Sequence, residues 1–107
     1  MFTEEDKNRL WRRVVATKSP PAVNPSLGPC LVWCGAVTSK GYGTIRLRGT
    51  LYLTHRVAFE IEKYPIPEGL DLDHLCKHLR CCNPAHLEPV TPQVNTLRGD
   101  GPSAQNA

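Results

Sequence analysis

Apolar positions recur with changing period along the chain, and each change marks a predicted element. In residues 3–17, Leu10, Trp11, Val14 and Val15 cluster at the spacing of one helix face. Thr3 stands as a helix N-cap, with Asp6 three residues on as its capping-box partner. Acids in the first turn and Arg12 and Arg13 later suit the helix dipole. The stretch "KSPPAVNPSLGP" has four prolines and excludes regular helix or central strand, so it is a linker or a wrapping loop.

Beyond it the period falls to two. "CLVW" reads as a strand, "SKGYG" as a turn and "TIRLR" as the next strand, followed by the turn "GT" and the strand "LYL". Together they predict a small antiparallel sheet, on which Arg46 and Arg48 alternate with Ile45 and Leu47 and so share one face. "THRVAFEIEK" returns to helical spacing, with Thr54 as N-cap, and "YPIPEG" stops it. Two short strands, "LDLDH" and "HLEPV", then flank a cysteine-rich loop. "TPQVNTLRG" predicts a last helix with Thr91 as N-cap, Pro92 at its first position and Gly99 at its end. The fold class expected is α+β. The organisation is a helix in 1–18, a proline-rich linker in 19–29, a main domain in 30–98 and a disordered tail in 99–107.

Composition narrows this further. At 107 residues and 40% apolar, one small domain is expected, with a core modest enough to need a staple. Five cysteines is an odd number, so they cannot all pair as intramolecular disulfides. No apolar run approaches a membrane span, and the N-terminus has no signal-peptide core. The expected setting is therefore a reducing cytoplasm without a membrane partner, where clustered cysteines hold metal. A net charge of +3 permits an anionic partner without demanding one.

The stretch "DHLCKHLRCCN" at 73–83 concentrates the chemistry. Four residues separate Cys76 from Cys81, and four more separate Cys81 from His86. One loop with these gaps folds three ligands onto a single zinc ion. The fourth ligand is Cys30 or Cys34, and on spacing alone Cys82 is an alternative to Cys81. Just upstream, Asp73 and His74 end a predicted strand, and Asn95 lies in the first turns of the helix that follows. If strand and helix pack together, the three converge. A neutral histidine takes a proton from water near pH 7. Oxygen ligands from Asp and Asn suit magnesium. A base beside a divalent ion is the equipment of phosphodiester hydrolysis.

The combined pattern "LDHLC…CCNPAHLEPVTPQVNTLRG", with "CLVWCGA…KGYGTIRL…THRVAFEI" upstream, resembles the HNH endonucleases, especially small phage-encoded ones. Its spacing is also similar to that of the zinc-dependent His-Cys box homing endonucleases. The resemblance spans about residues 30–98. It implies a ββα-metal (His-Me finger) core in about 70–98 around catalytic Mg2+ (or Mn2+), with a separate structural Zn2+. It implies His74 as general base, Asn95 and Asp73 as magnesium ligands, and Asn83 pinning the loop through backbone hydrogen bonds. It implies Cys30, Cys76, Cys81 and His86 as zinc ligands, leaving Cys34 and Cys82 as extra thiols. Arg46 is the candidate for an arginine at the scissile phosphate, and Arg46, Arg48, Arg56 and Arg98 for DNA contact. His55 is read as a packing residue at a helix start, and His78 as exposed. The implied activity is DNA cleavage leaving 5′ phosphate and 3′ hydroxyl. DNA is the implied partner, with a homodimer and phage packaging proteins as further possible ones. A zinc-dependent DNA-binding module without catalysis is the alternative.

Overall fold

The structure, a computed structural model, describes residues 2–23 and 25–97. Arg98 and the tail 99–107 lie outside the described residues. The first helix, α1 (Glu4–Trp11), carries the capping box. Thr3 N donates to Asp6 Oδ2 at 3.0 Å, and Asp6 N donates to Thr3 Oγ1 at 3.1 Å. The helix is shorter than its apolar spacing predicts. Val14–Ala16 form a strand, β1, antiparallel to β2 (Leu31–Trp33). Val14 and Val15 are β-branched, and pairing with a distant strand, Val14 opposite Trp33 and Ala16 opposite Leu31, overrides the local helical pattern.

β2 was also expected to join the strands that follow it. Instead β3 (Thr44–Leu47) and β4 (Thr50–Leu53) form their own hairpin, to which the loop after β2 bonds, as Thr44 N does to Ala36 O at 2.9 Å. The β3–β4 turn is Arg48–Gly49. Both residues have positive φ, 50° and 84°, matching the tight hairpin turn that suits strand twist. Arg48 is therefore a turn residue and does not share the strand face of Arg46. Its guanidinium pairs with the buried Asp6 of α1.

Helix α2 (Thr54–Glu62) follows β4 without a loop; Leu53 is its N-cap and Thr54 its first residue, so the expected Thr54 cap is not made. Its buried residues Val57 and Ala58 meet Leu10, Trp33, Ile45, Leu47 and Cys82 in the main core. Gly43 is required there, because a Cβ would lie 2.6 Å from the Trp33 ring and 2.4 Å from Thr54 Oγ1. A smaller apolar cluster of Phe59, Ile66, Leu72 and Leu87 joins the other side of α2 to the final unit. That unit is an antiparallel hairpin, β5 (Asp71–His74) and β6 (Leu87–Val90), followed by α3 (Pro92–Leu97), which packs on β5. Thr91 Oγ1 accepts from Val94 N at 3.2 Å, the predicted cap of α3. Two strands, a loop and a helix thus lie where the sequence pattern sets them.

Candidate functional site

The 12 residues between β5 and β6 fold back on themselves and dock on β2. Cys81 bridges Val32, Cys82 N donates to Leu31 O at 2.6 Å, and Trp33 N donates to Arg80 O at 2.9 Å. Arg80 returns both Nε and Nη2 to Trp33 O, at 3.0 and 2.8 Å. This docking delivers Cys30, immediately before β2, to the thiols of the loop.

Cys30, Cys76, Cys81 and His86 are all buried, and their four ligand atoms lie within 4.8 Å of one another. His86 Nδ1 is 3.6 Å from Cys30 Sγ and 3.4 Å from Cys81 Sγ. Zinc–sulfur and zinc–nitrogen bonds of about 2.3 and 2.0 Å in a tetrahedron hold such atoms about 3.5 Å apart, so the set fits zinc. His86 Nε2 lies 2.8 Å from Leu27 O, an acceptor only. The proton therefore sits on Nε2, and Nδ1 turns its lone pair to the sulfurs. The thiols respond to their crowding. A hydrogen bond from Cys76 holds the Cys81 thiol down to about 4. The same bond, with burial, pushes Cys76 far up, and burial with the Cys81 charge raises Cys30. One thiolate is favoured and further ones repel, which a divalent cation at the centre relieves.

The alternatives on spacing are resolved by burial and place. Cys34 is exposed beyond the end of β2, with Sγ donating to Val32 O at 3.6 Å. Cys82 faces the opposite way from Cys81, into the main apolar core, where burial raises its thiol to about 12. Asn83 fastens the loop as expected. Its Nδ2 donates to Pro29 O at 3.1 Å and its Oδ1 accepts from Ala85 N at 3.0 Å. The proline-rich segment wraps this centre: Leu27 and Pro29 supply the two carbonyls, and a 3-10 turn at Pro25–Leu27 sets them.

His74, at the end of β5, is buried. Its Nε2 lies 3.3 Å from Cys81 O, so that carbonyl takes the ring proton and leaves Nδ1 as the basic nitrogen. Burial, above all, lowers the His74 pKa, which favours the neutral ring a base requires. The ring lies against two others, His55 at 4.6 Å and Tyr42 at 6.1 Å between centroids. His55 and Tyr42 in turn line a cleft with Lys40, Arg56, Asp71 and Asn95. The predicted Asn95 and Arg56 thus line one cleft, and His74 adjoins it through His55 and Tyr42 without lining it.

Other expectations fall differently. Asp73 is buried and is not in the cleft wall, whereas Asp71, two positions earlier on the same strand face, is. Burial first, then the charges of Asp71 and Asp73, raise the Tyr42 pKa. Glu88 stands opposite Asp73 in register, adding a third carboxyl to that face. Arg46 is not grouped with His74 and Asn95; on the outward face of β3 it lines a second cleft with Arg9, Arg12 and Arg13. Arg48 is engaged with Asp6, as above, and Arg98 lies outside the described residues. His78 is exposed, as expected. His55 is buried, with no hydrogen-bond partner at Nδ1 among the described residues. Burial, then the charges of His74 and Arg56, hold its pKa down to about 3.

Sequence reasoning missed Lys40, Tyr42 and Asp71 as cleft residues. Asp71 carried a usable signal, its two-residue offset from Asp73. Lys40 and Tyr42 carried none, because their approach depends on the loop that crosses Trp33. Among the described residues no helix is long and apolar enough to cross a membrane.

Residues 52–97 match the family model described as HNH endonuclease. The chain is 40% identical over 67 residues to Protein 7.7 of Escherichia phage T7, covering 63% of this chain and 52% of that one. It is 36% identical over 69 residues to Protein 2.8 of the same phage, covering 63% and 46%. It is 43% identical over 47 residues to the gene 5.3 protein of Enterobacteria phage T3, covering 44% and 46%. The chain spans about half the length of these curated relatives. No solved structure matches it.

Proposed function

We propose, from the premise that residues 52–97 are an HNH endonuclease domain, that the protein hydrolyses DNA phosphodiester bonds with a divalent metal. The final hairpin and helix serve as the ββα-metal core, braced by structural zinc. The single observation that carries this reading is the His74 Nε2 to Cys81 O contact at 3.3 Å, beside the cleft that holds Asn95.

Each residue has a task in that chemistry. His74, neutral and held by Cys81, accepts a proton from the attacking water at Nδ1. The Asn95 side-chain carbonyl and the carboxylates of β5, Asp71 and Asp73, offer the hard oxygens that magnesium or manganese takes. Bound there, the ion would supply stabilisation of the charge that develops on the phosphate and the 3′ oxygen. Arg56 and Lys40, in the same cleft, hold the substrate phosphate by charge. The products are 5′ phosphate and 3′ hydroxyl. One such site cuts one strand, so a monomer nicks duplex DNA and a dimer cuts both strands. The setting is the cytoplasm of a phage-infected cell, and packaging proteins are the partner class to be tested.

The test is plasmid cleavage by zinc-loaded protein across Mg2+, Mn2+ and no added metal, read as nicked against linear product. Metal-dependent nicking is expected. His74→Ala should lower the rate by about 10²–10⁴, the usual worth of a general base, while zinc content and DNA binding persist. A variant as fast as the parent would remove His74 as the base. DNA binding with no cleavage at any metal would favour a zinc-dependent DNA-binding module.

A further inference from the structure

A second cleft lies outside the site described. Arg9 on α1, Arg12 and Arg13 after it, and Arg46 on β3 line one hollow of about 210 Å³, floored by Trp33 and Ile45. All four arginines are exposed. Among the described residues none of them forms a salt bridge, and no acidic side chain lines the hollow. Asp6 of α1 pairs with Arg48, and Glu62 of α2 pairs with Lys7. Arg46 is steadied by a hydrogen bond from Nη1 to Gly49 O at 3.2 Å.

Four guanidinium groups converging without counter-charge repel one another. The arrangement costs stability unless a polyanion neutralises it. Arginine suits phosphate oxygens through its fork of donors. We propose that this cleft is a second DNA-backbone clamp, gripping phosphates a few nucleotides from the bond to be cut.

Chain geometry connects the two clefts. Tyr42 lines the first and Arg46 the second, and the chain between them runs extended into β3. Four residues of strand span about 13 Å. That matches the rise of about four base pairs, about 3.4 Å each, along the axis of a duplex. One DNA segment can therefore lie in both. All four arginines precede residue 52, so the clamp is built outside the family-matched segment. The inference rests on the nuclease reading only for the identity of the polyanion.

The experiment measures binding of a labelled duplex of about 20 base pairs to zinc-loaded full chain, without added magnesium, over about 50–200 mM salt. Each phosphate contact adds about 0.9 to the slope of log affinity against log salt. Arg9→Gln/Arg12→Gln/Arg13→Gln should lower that slope by about 2–3. Over that fourfold range of salt, wild type should then lose roughly 16- to 64-fold more affinity than the variant. The triple lysine variant, which keeps the charges, should keep the slope. Should the glutamine variant not fold, Arg12→Gln and Arg46→Gln singly should each lower the slope by about 0.9. Unchanged slopes in the folded variants overturn the clamp, as does failure of wild type to bind the duplex at low salt. The latter would leave an acidic protein surface as the cleft's partner. Plasmid cleavage by wild type is scored separately. Binding with the expected slope losses but no cleavage keeps the clamp and refutes the nuclease; cleavage with unchanged slopes does the reverse.

Discussion

Single side chains in this protein serve two neighbours at once, and Asn83 and His55 show the consequences. Asn83 ties the loop to Pro29 O and caps the turn at Ala85 N, between Cys81 and His86 of the cysteine-histidine cluster. Asn83→Ala removes both bonds and leaves the Pro29 carbonyl without this donor. A loss of about 1–3 kcal/mol in unfolding free energy is expected, together with faster zinc transfer to a competing chelator. Unchanged chelation kinetics would mean that the loop is held by zinc alone. His55 gives a pH signature. Its folded pKa is held down to about 3, whereas an unfolded histidine titrates near 6.5. Below about 6.5 the unfolded chain takes up a proton that the folded chain refuses, so this stability is complete above that pH and declines toward 3. Denaturant midpoints should fall between pH 7 and 5.5, with His55 responsible for about 1 kcal/mol. His55→Gln should flatten the profile by that amount relative to wild type, and an equal slope would assign the effect to other groups.

Elements divide into those whose partners are near in sequence and those whose partners are far. The capping box of α1, the β3–β4 hairpin, the β5–β6 strands and the Thr91 cap of α3 were legible because each is decided within about ten residues or by turn chemistry. So was the cluster that could hold zinc: spacing put Cys76, Cys81 and His86 in one loop, resemblance added Cys30, and the structure brings these four side chains together. What was not legible is β1. Val14 and Val15 satisfy a helical stripe as well as a strand, and only the distant Leu31–Trp33 decides between them. Arg48 was misplaced for a related reason, since its positive φ ends the alternation one residue early. Because β2 carries β1 on one side and the Cys81 loop on the other, zinc should order several elements together. Structural zinc supplies on the order of 10 kcal/mol in finger peptides. Exhaustive chelation, or Cys30→Ser, should therefore collapse the native near-UV spectrum and amide protection of β2. Cys34→Ser should keep one zinc per chain and the native spectrum. Loss of zinc from Cys34→Ser would reverse the ligand assignment.

Across the whole molecule, composition suggested a helix and a linker preceding a separate main domain, because proline density hides packing. The structure shows why the first segment matters to the rest: Leu10 is completely buried against Trp33 and Val57, and Trp33 O receives Arg80 from the zinc loop. His74 depends on the same chain of contacts, since its Nε2 meets Cys81 O. A defect at Leu10 can thus propagate to the Cys30, Cys76, Cys81 and His86 cluster without touching it. Leu10→Ala, which leaves a cavity in the main core, should cost about 2–5 kcal/mol. If the chain folds as one cooperative unit, zinc release, far-UV ellipticity and tryptophan fluorescence should follow one denaturant curve in wild type, and all three should shift together in the variant. Separate curves, with zinc retained after α1 and β1 have melted, would show instead that the hairpin, zinc loop and α3 stand as an independent folding unit.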